Sequence, residues 1–199
     1  MKWHIIRHAD KEKGDFYSPV LRHQNMPISK KGHTEAQKLL SYFEGRPVNR
    51  IYVSQYLRTS QTIEYVAQNA GLFSIVDSRL NEIDIGLTDG LSDQELQQKF
   101  PDVWNAFQAR DRDFKFPEGE SGEEALSRIE SFFNEMLQNN EDIVLVSHDG
   151  LIRLMMCFLL GLPVYRRWEF QVDTCGIMEI ECDPAHAGWK ICRFNQKCV

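Results

Sequence analysis

Trp3-His4-Ile5-Ile6-Arg7-His8-Ala9-Asp10 is an apolar run that ends in an arginine, a histidine and an acid. Its two β-branched residues suit a strand in the middle of a sheet, and the polar stretch Lys11 to Asp15 ends it. In an open α/β sheet, ligands bind in the crevice just beyond the carboxyl ends of the strands, which is where Arg7 and His8 would stand. A strand end also holds a side chain more firmly than a loop tip does, as a nucleophile requires.

The same ending recurs late in the chain. Ile143-Val144-Leu145-Val146 is the strongest strand pattern and should be central and parallel. It runs into Ser147-His148-Asp149-Gly150, and an almost wholly apolar helix follows from Leu151 to Leu160. Between these two strands, Ser29 opens a helix with Ala36, Leu39, Leu40 and Phe43 on one face. Asn49 to Val53 reads as a short strand with Ser54 at its end. The next helix starts near Leu57 and stops at Gly71. Arg58 lies in its first turn, where a cation gains nothing from the helix dipole unless an anion sits beside it. Ser74 to Asp77 is another strand, followed by the acid-rich loop Leu80 to Gly90, which should turn a carboxylate inward. Ser92 with Glu95 and Ser121 with Glu124 are capping-box pairs for two further helices. Ile177 to Cys182 and Trp189 to Phe194 close the chain as strands. Strands alternating with helices indicate an α/β fold with a largely parallel sheet. Asp10 to Pro27 reads as a polar loop.

At 199 residues a single domain over 1–199 is expected, with a lid or substrate insertion around 87–120. The net charge of −6 argues against a nucleic-acid partner and against an anionic membrane surface. Any anionic ligand must be held by a local cluster of cations. Met1 leads straight into a structural strand, so no signal peptide is expected. The most apolar run is too short to span a bilayer. Five cysteines without C-x-x-C spacing point to buried thiols in a reducing cytoplasm rather than to disulfides or zinc. The oligomeric state is left open, with a dimer as one outcome.

One sheet can bring His8, His148, Arg7, Arg58 and Glu82 to one edge. Arginine cations repel a metal ion and offer it no ligand, so this is a poor metal site. It is a good phosphoryl site: arginines grip the oxygens in a bidentate manner and an imidazole can attack phosphorus.

The motifs carrying these residues are similar to those of the histidine phosphatase superfamily, the phosphoglycerate-mutase-like proteins. Arg7-His8-Ala9 stands for the R-H-G signature, and Ser54 with Arg58-Thr59-Ser60-Gln61-Thr62 for S-x-x-x-R-T-x-Q-T. Leu80-Asn81-Glu82 through Gly86 to Asp89-Gly90 matches the acid loop, and Pro117-Glu118-Gly119-Glu120-Ser121 matches P-x-G-E-S. Ser147-His148-Asp149-Gly150-Leu151-Ile152-Arg153 matches the late S-H-G-G-x-I-R, and Pro27-Ile28-Ser29 with Gly32 looks like P-L-[ST]-x-x-G. The resemblance implies a three-layer αβα sandwich around a mainly parallel sheet with one antiparallel strand. It implies that His8 is transiently phosphorylated, that Arg7, Arg58, His148, Asp149 and Gly150 contact the phosphoryl group, and that His148 is a catalytic residue, protonated or otherwise donating to a phosphoryl oxygen. It also implies that Glu82 gives and takes the proton, with no metal and no cofactor.

Ala9 and Asp149 depart from common glycines, and Gly14 stands where many relatives carry a phosphate-contacting asparagine. Lys11 is the candidate to compensate, and Lys11, Arg110 and Ser121 are the candidate substrate contacts. Asp149 is similar to the proton donor of the acid phosphatase branch, so two candidate acids exist. A helix start favours the ionised form of Asp149, whereas a partly apolar loop beside an anion favours the protonated form of Glu82. Glu82 is therefore the expected donor. The expected activity is hydrolysis of a phosphomonoester on a small phosphorylated metabolite. A phosphoglycerate mutase, an α-ribazole phosphatase, a protein-phosphohistidine phosphatase and a non-catalytic phosphate binder are the alternatives. His4 is expected in the core; His23, His33 and His186 are expected on the surface.

Overall fold

The computed structural model describes residues 1–183 and 188–198, so His186 lies outside the described residues. Strand β1 (Lys2–Arg7) leads into a small antiparallel hairpin, β2 (Tyr17–Ser18) with β3 (His23–Gln24). This hairpin stands where a plain loop was expected. Helix α1 (Lys30–Phe43), strand β4 (Arg50–Val53), helix α2 (Leu57–Ala70) and strand β5 (Ser74–Val76) follow. Two short helices, α3 (Asp93–Lys99) and α4 (Pro101–Ala109), fill the stretch before α5 (Gly122–Leu137). Strand β6 (Ile143–Ser147) and helix α6 (Asp149–Leu160) come next, then a 3-10 segment over Val164–Glu169, and finally β7 (Ile177–Asp183) and β8 (Gly188–Gln196). Both capping boxes form, at Ser92 with Glu95 and at Ser121 with Glu124.

The main sheet has the order β5-β4-β6-β1-β7-β8. β6 lies between β4 and β1 and is parallel to both, and β7 is the single antiparallel strand against its neighbours. Alternation along the strands sorts the core into two layers. Ile6, Ile51, Val53, Val144 and Val146 face α1 and α2, where they meet Ala36, Leu39, Phe43, Ile63 and Val66. Trp3, Ile5, Tyr52 and Leu145 face α5 and α6, where they meet Ile129, Phe132, Phe133, Leu151 and Met155. The αβα sandwich with a mainly parallel sheet is thus the observed fold. His4 is buried on the α1 side, where its Nδ1 meets the Tyr42 hydroxyl at 3.0 Å. Cys157, Cys175 and Cys182 are buried. Among the described residues, no helix is long and apolar enough to cross a membrane.

The loop leaving β1 is held by α1. The Ser29 hydroxyl caps α1 at Gly32 N–H and also donates to the Asp10 carboxylate at 2.5 Å. A Cβ on Gly32 would lie 2.1 Å from the Asp10 carbonyl oxygen, so only glycine allows this approach. Gly32→Ala is expected to lower stability by about 1–3 kcal/mol, the usual cost of overpacking. Urea unfolding of the variant checks this, and an unchanged midpoint would show that the loop yields freely.

Candidate active site

The parallel pairing of β1 with β6 sets Arg7 opposite Ser147. The next residue on each strand is a histidine, so His8 and His148 emerge side by side, with ring centroids 5.2 Å apart. From β1 the chain turns to α1 on one face, and from β6 it turns to α6 on the other. The crevice between diverging connections is where open α/β sheets bind ligands. On the far side of β6, β4 brings Ser54 to the same edge, and α2 brings Arg58. The Ala9 N–H donates to Thr62 Oγ1 at 2.8 Å, and that hydroxyl donates to the Arg58 carbonyl at 2.6 Å. These two bonds tie the end of β1 to the first turns of α2.

The His8 ring is fixed in one tautomer. Its Nδ1–H donates to the Ala9 carbonyl at 2.8 Å, which leaves the lone pair on Nε2. Burial, and then the charges of Arg58 and Arg7, pull its pKa down to about 3. The imidazole is therefore neutral at pH 7, as a nucleophile must be. His148 is fully buried, and both its nitrogens are engaged. Arg58 Nη2 donates to its Nδ1 at 3.1 Å, and its Nε2–H donates to Ser54 Oγ at 2.8 Å. The Ser54 hydroxyl meets Thr59 Oγ1 at 3.1 Å, and Thr59 donates to the Tyr56 carbonyl at 2.7 Å. Burial first, then Arg58, holds His148 well below its ordinary pKa. In this arrangement His148 is an acceptor for Arg58.

Arg58 is only 5% exposed and stacks over Tyr56, 4.3 Å from the ring centroid. Its Nε and Nη1 are buried without a hydrogen-bond partner, and so is Nε of Arg7. Each unpaired buried donor costs about 1–3 kcal/mol, more when charged. Both arginines line a cavity of about 290 Å³ that His8, Lys11, Glu82 and Asp149 also line. An anion there would satisfy the unpaired donors.

The two candidate acids are held differently. The Glu82 carboxylate accepts N–H groups from Ile83 at 3.0 Å, Gly150 at 3.2 Å and Leu151 at 3.1 Å, so it sits on the first turn of α6. A Cβ on Gly150 would lie 2.8 Å from Glu82 Oε1. The Gly150 N–H thus serves Glu82. The acid loop is braced by Arg128, which pairs with Glu120 at 2.7 Å and donates to the Glu82 carbonyl at 3.2 Å. Asp149 is gripped by the fork of Arg153 at 2.8 Å on each oxygen, with Arg7 3.8 Å away.

His23 was expected on the surface, yet it lines the cavity and its side chain is 13% exposed. Its ring nitrogens meet Asp84 at 3.0 Å and Asp89 at 3.2 Å, which ties the β2–β3 hairpin to the acid loop. No motif marks His23; only the folding of the hairpin places it. His33 is half-buried against the Tyr65 hydroxyl at 3.1 Å. Lys11 lines the cavity. Ser121 uses its side-chain oxygen to cap α5, and Arg110 stacks over Trp168 at 5.1 Å; neither lines this cavity. Among the described residues the group with metal-binding proximity is Glu179, Glu181 and Cys192. It stands near His4 at the other end of β1, where Lys2 and Arg193 already pair with its carboxylates.

Two outcomes follow from this geometry. Inorganic phosphate should bind, and Arg58→Ala should weaken it by about 1.5–3 kcal/mol, the range for charge-assisted hydrogen bonds. Titration calorimetry measures this, and equal affinity in the variant would place the anion elsewhere. His4 is lowered to about 4 by burial, like His8 to about 3. Below pH 6.5 the unfolded chain binds protons at these residues that the folded chain refuses. Their contribution to stability is complete above pH 6.5 and is lost as pH falls towards 4 and below, by up to about 1.4 kcal/mol per pH unit for each histidine. Urea unfolding at pH 7.5, 6 and 5 checks the sign; flat stability across that range would contradict it.

The sequence and the fold have relatives. A phosphoserine phosphatase 1 of Hydrogenobacter thermophilus is 28% identical over 184 residues, covering 90% of this chain and 85% of that one. The crystal structure of the alpha-ribazole phosphatase of Shigella flexneri superposes with a TM-score of 0.83 at 22% identity, covering 100% of this chain and 98% of that one. A mycobacterial glucosyl-3-phosphoglycerate phosphatase, solved with inorganic phosphate, superposes at 0.82 with 21% identity, covering 99% and 98%. The model of the histidine phosphatase superfamily, branch 1, matches residues 3–197. With that match across nearly its whole length, the chain belongs to the histidine phosphatase superfamily.

Proposed function

We propose that the protein is a metal-independent phosphomonoester hydrolase that acts through a phosphohistidine on a small phosphorylated metabolite. The observation that carries this reading is the set of three buried, unpaired guanidinium nitrogens on Arg7 and Arg58, beside a cavity shared with a neutral His8. The lone pair on His8 Nε2 attacks phosphorus, and the bond from phosphorus to the ester oxygen breaks. Arg7 and Arg58 hold the non-bridging oxygens and supply the charge that a metal supplies elsewhere. Arg58 can turn Nη2 from His148 to the phosphoryl group, which frees Nδ1 of His148. Glu82 carries the proton to the leaving oxygen and becomes a carboxylate there. In the free site its oxygens accept three backbone N–H groups, which favours the ionised form, so the negative charge of the bound phosphoryl group is what favours its protonation. Water then attacks phosphorus, Glu82 takes a proton from it, and the P–N bond breaks to release inorganic phosphate and neutral His8. Asp149 is assigned no proton transfer here: Arg153 grips both its oxygens in a fork, a pairing that proton donation would have to break. Its place in this scheme is to orient Arg7 and contact the substrate.

Kinetics of three variants test the roles. His8→Ala should lose several orders of magnitude in kcat, with EDTA leaving the wild-type rate intact; near-normal turnover in the variant removes the mechanism. Glu82→Gln should be slow on an alkyl phosphate and less impaired in forming the phosphoenzyme from nitrophenyl phosphate, whose leaving group needs no proton. Asp149→Asn should show little dependence on the leaving group. The opposite pattern would make Asp149 the donor.

A further inference from the structure

A second cavity, of about 260 Å³, adjoins the phosphoryl cavity and shares Glu82, Ile83, Ile85 and Asp149 with it. Its wall away from the phosphoryl site includes Phe107, Phe116 and Trp168. The charged side chains on that wall are mostly engaged, although Nε of Arg167 is buried without a partner. Arg153 forks onto Asp149, while Arg167 pairs with Asp113 at 3.4 Å and donates to the Val164 carbonyl at 3.2 Å. The Trp168 indole is held on several sides: the guanidinium carbons of Arg167, Arg110 and Arg153 lie 4.9, 5.1 and 5.9 Å from it. Phe107 meets it edge-on at 5.1 Å. The surface left for a ligand is aromatic and aliphatic, and the ring that dominates it is fixed in advance.

Such a wall discriminates. A polyol or an amino acid placed against the Phe107, Phe116 and Trp168 side of it would bury most of its hydroxyl or charged groups without partners, which is unfavourable. A flat ring buries apolar area at no such cost and stacks on a positioned indole. We infer that the alcohol part of the substrate carries a planar aromatic ring, seated against Trp168, Phe107 and Phe116 while the phosphoryl group lies at Arg7 and Arg58. This rests on the hydrolase reading above and names its substrate class.

The test uses esters of primary alcohols, so that the scissile bond is chemically alike in each: ethyl phosphate, O-phosphoserine and 2-phenylethyl phosphate. The wild type should prefer 2-phenylethyl phosphate in kcat/KM by about 10- to 100-fold, the equivalent of burying one phenyl ring, with most of the difference in KM. Trp168→Ala should bring the three esters to near parity, and Phe107→Leu should reduce the preference part of the way. Thermal unfolding of both variants confirms that they fold. Near-equal kcat/KM in the wild type, or an undiminished preference in a folded Trp168→Ala, overturns the aromatic subsite while leaving the hydrolase reading intact. Failure of the wild type to turn over any of the esters, with no phosphoryl label on His8, overturns both.

Discussion

Two arginine side chains, Arg58 buried and Arg7 half-buried, are held at one edge of the sheet with more N–H donors than the protein satisfies. That constraint shapes everything around them. Burial first, and then the neighbouring cations, disfavour further positive charge, so His8 and His148 are held well below their ordinary pKa beside them. The chain as a whole is acidic, yet this cavity presents donors to an anion, and the burial of Arg58 strengthens the attraction. The site therefore suits a group that is negative and rich in acceptor oxygens, and it would place that group beside His8, whose Nε2 lone pair is free.

The fold delivers this through register and through loop interlock. The parallel pairing of β1 with β6 sets the two histidines side by side. The acid loop is then fastened to its neighbours. Leu87 N–H donates to the Pro117 carbonyl, Glu120 N–H donates to the Asp84 carbonyl, and Arg128 binds Glu120 and the loop main chain. Glu82 links this brace to α6 by receiving the N–H groups of Gly150 and Leu151. The same helix carries Asp149 and Arg153, so Glu82, the cavity of Arg7 and Arg58 and the aromatic cavity share one support.

Much of this was legible in the sequence because it depends on local pattern. The β-branched run before Ser147, the capping pairs at Ser92 and Ser121, and the dipeptides Arg7-His8 and Ser147-His148 need only neighbours in the chain to be read. Arg58 was legible as a cation at the wrong end of a helix. What was not legible depends on distant partners. The β2–β3 strands are two residues each and carry no alternation, so the hairpin was missed, and with it the placement of His23 against Asp84 and Asp89. The state of His148 depends on Arg58, ninety residues away, which turns an expected donor to phosphate into an acceptor. Ser121 was read correctly as a cap, and that same hydrogen bond occupies the oxygen that a substrate contact would have needed. Trp168 lies in a 3-10 segment with no motif, and its importance appears only when α4 packs against it.

The crystal structure of a complex with orthovanadate tests the central claim most directly, because vanadium adopts the five-coordinate geometry of phosphoryl transfer. Vanadium bonded to Nε2 of His8, with Arg58 Nε and Nη1 and Arg7 Nε on its equatorial oxygens, is the expected result. Vanadate bound through Nδ1, held by other residues, or leaving those guanidinium groups unpaired would contradict it.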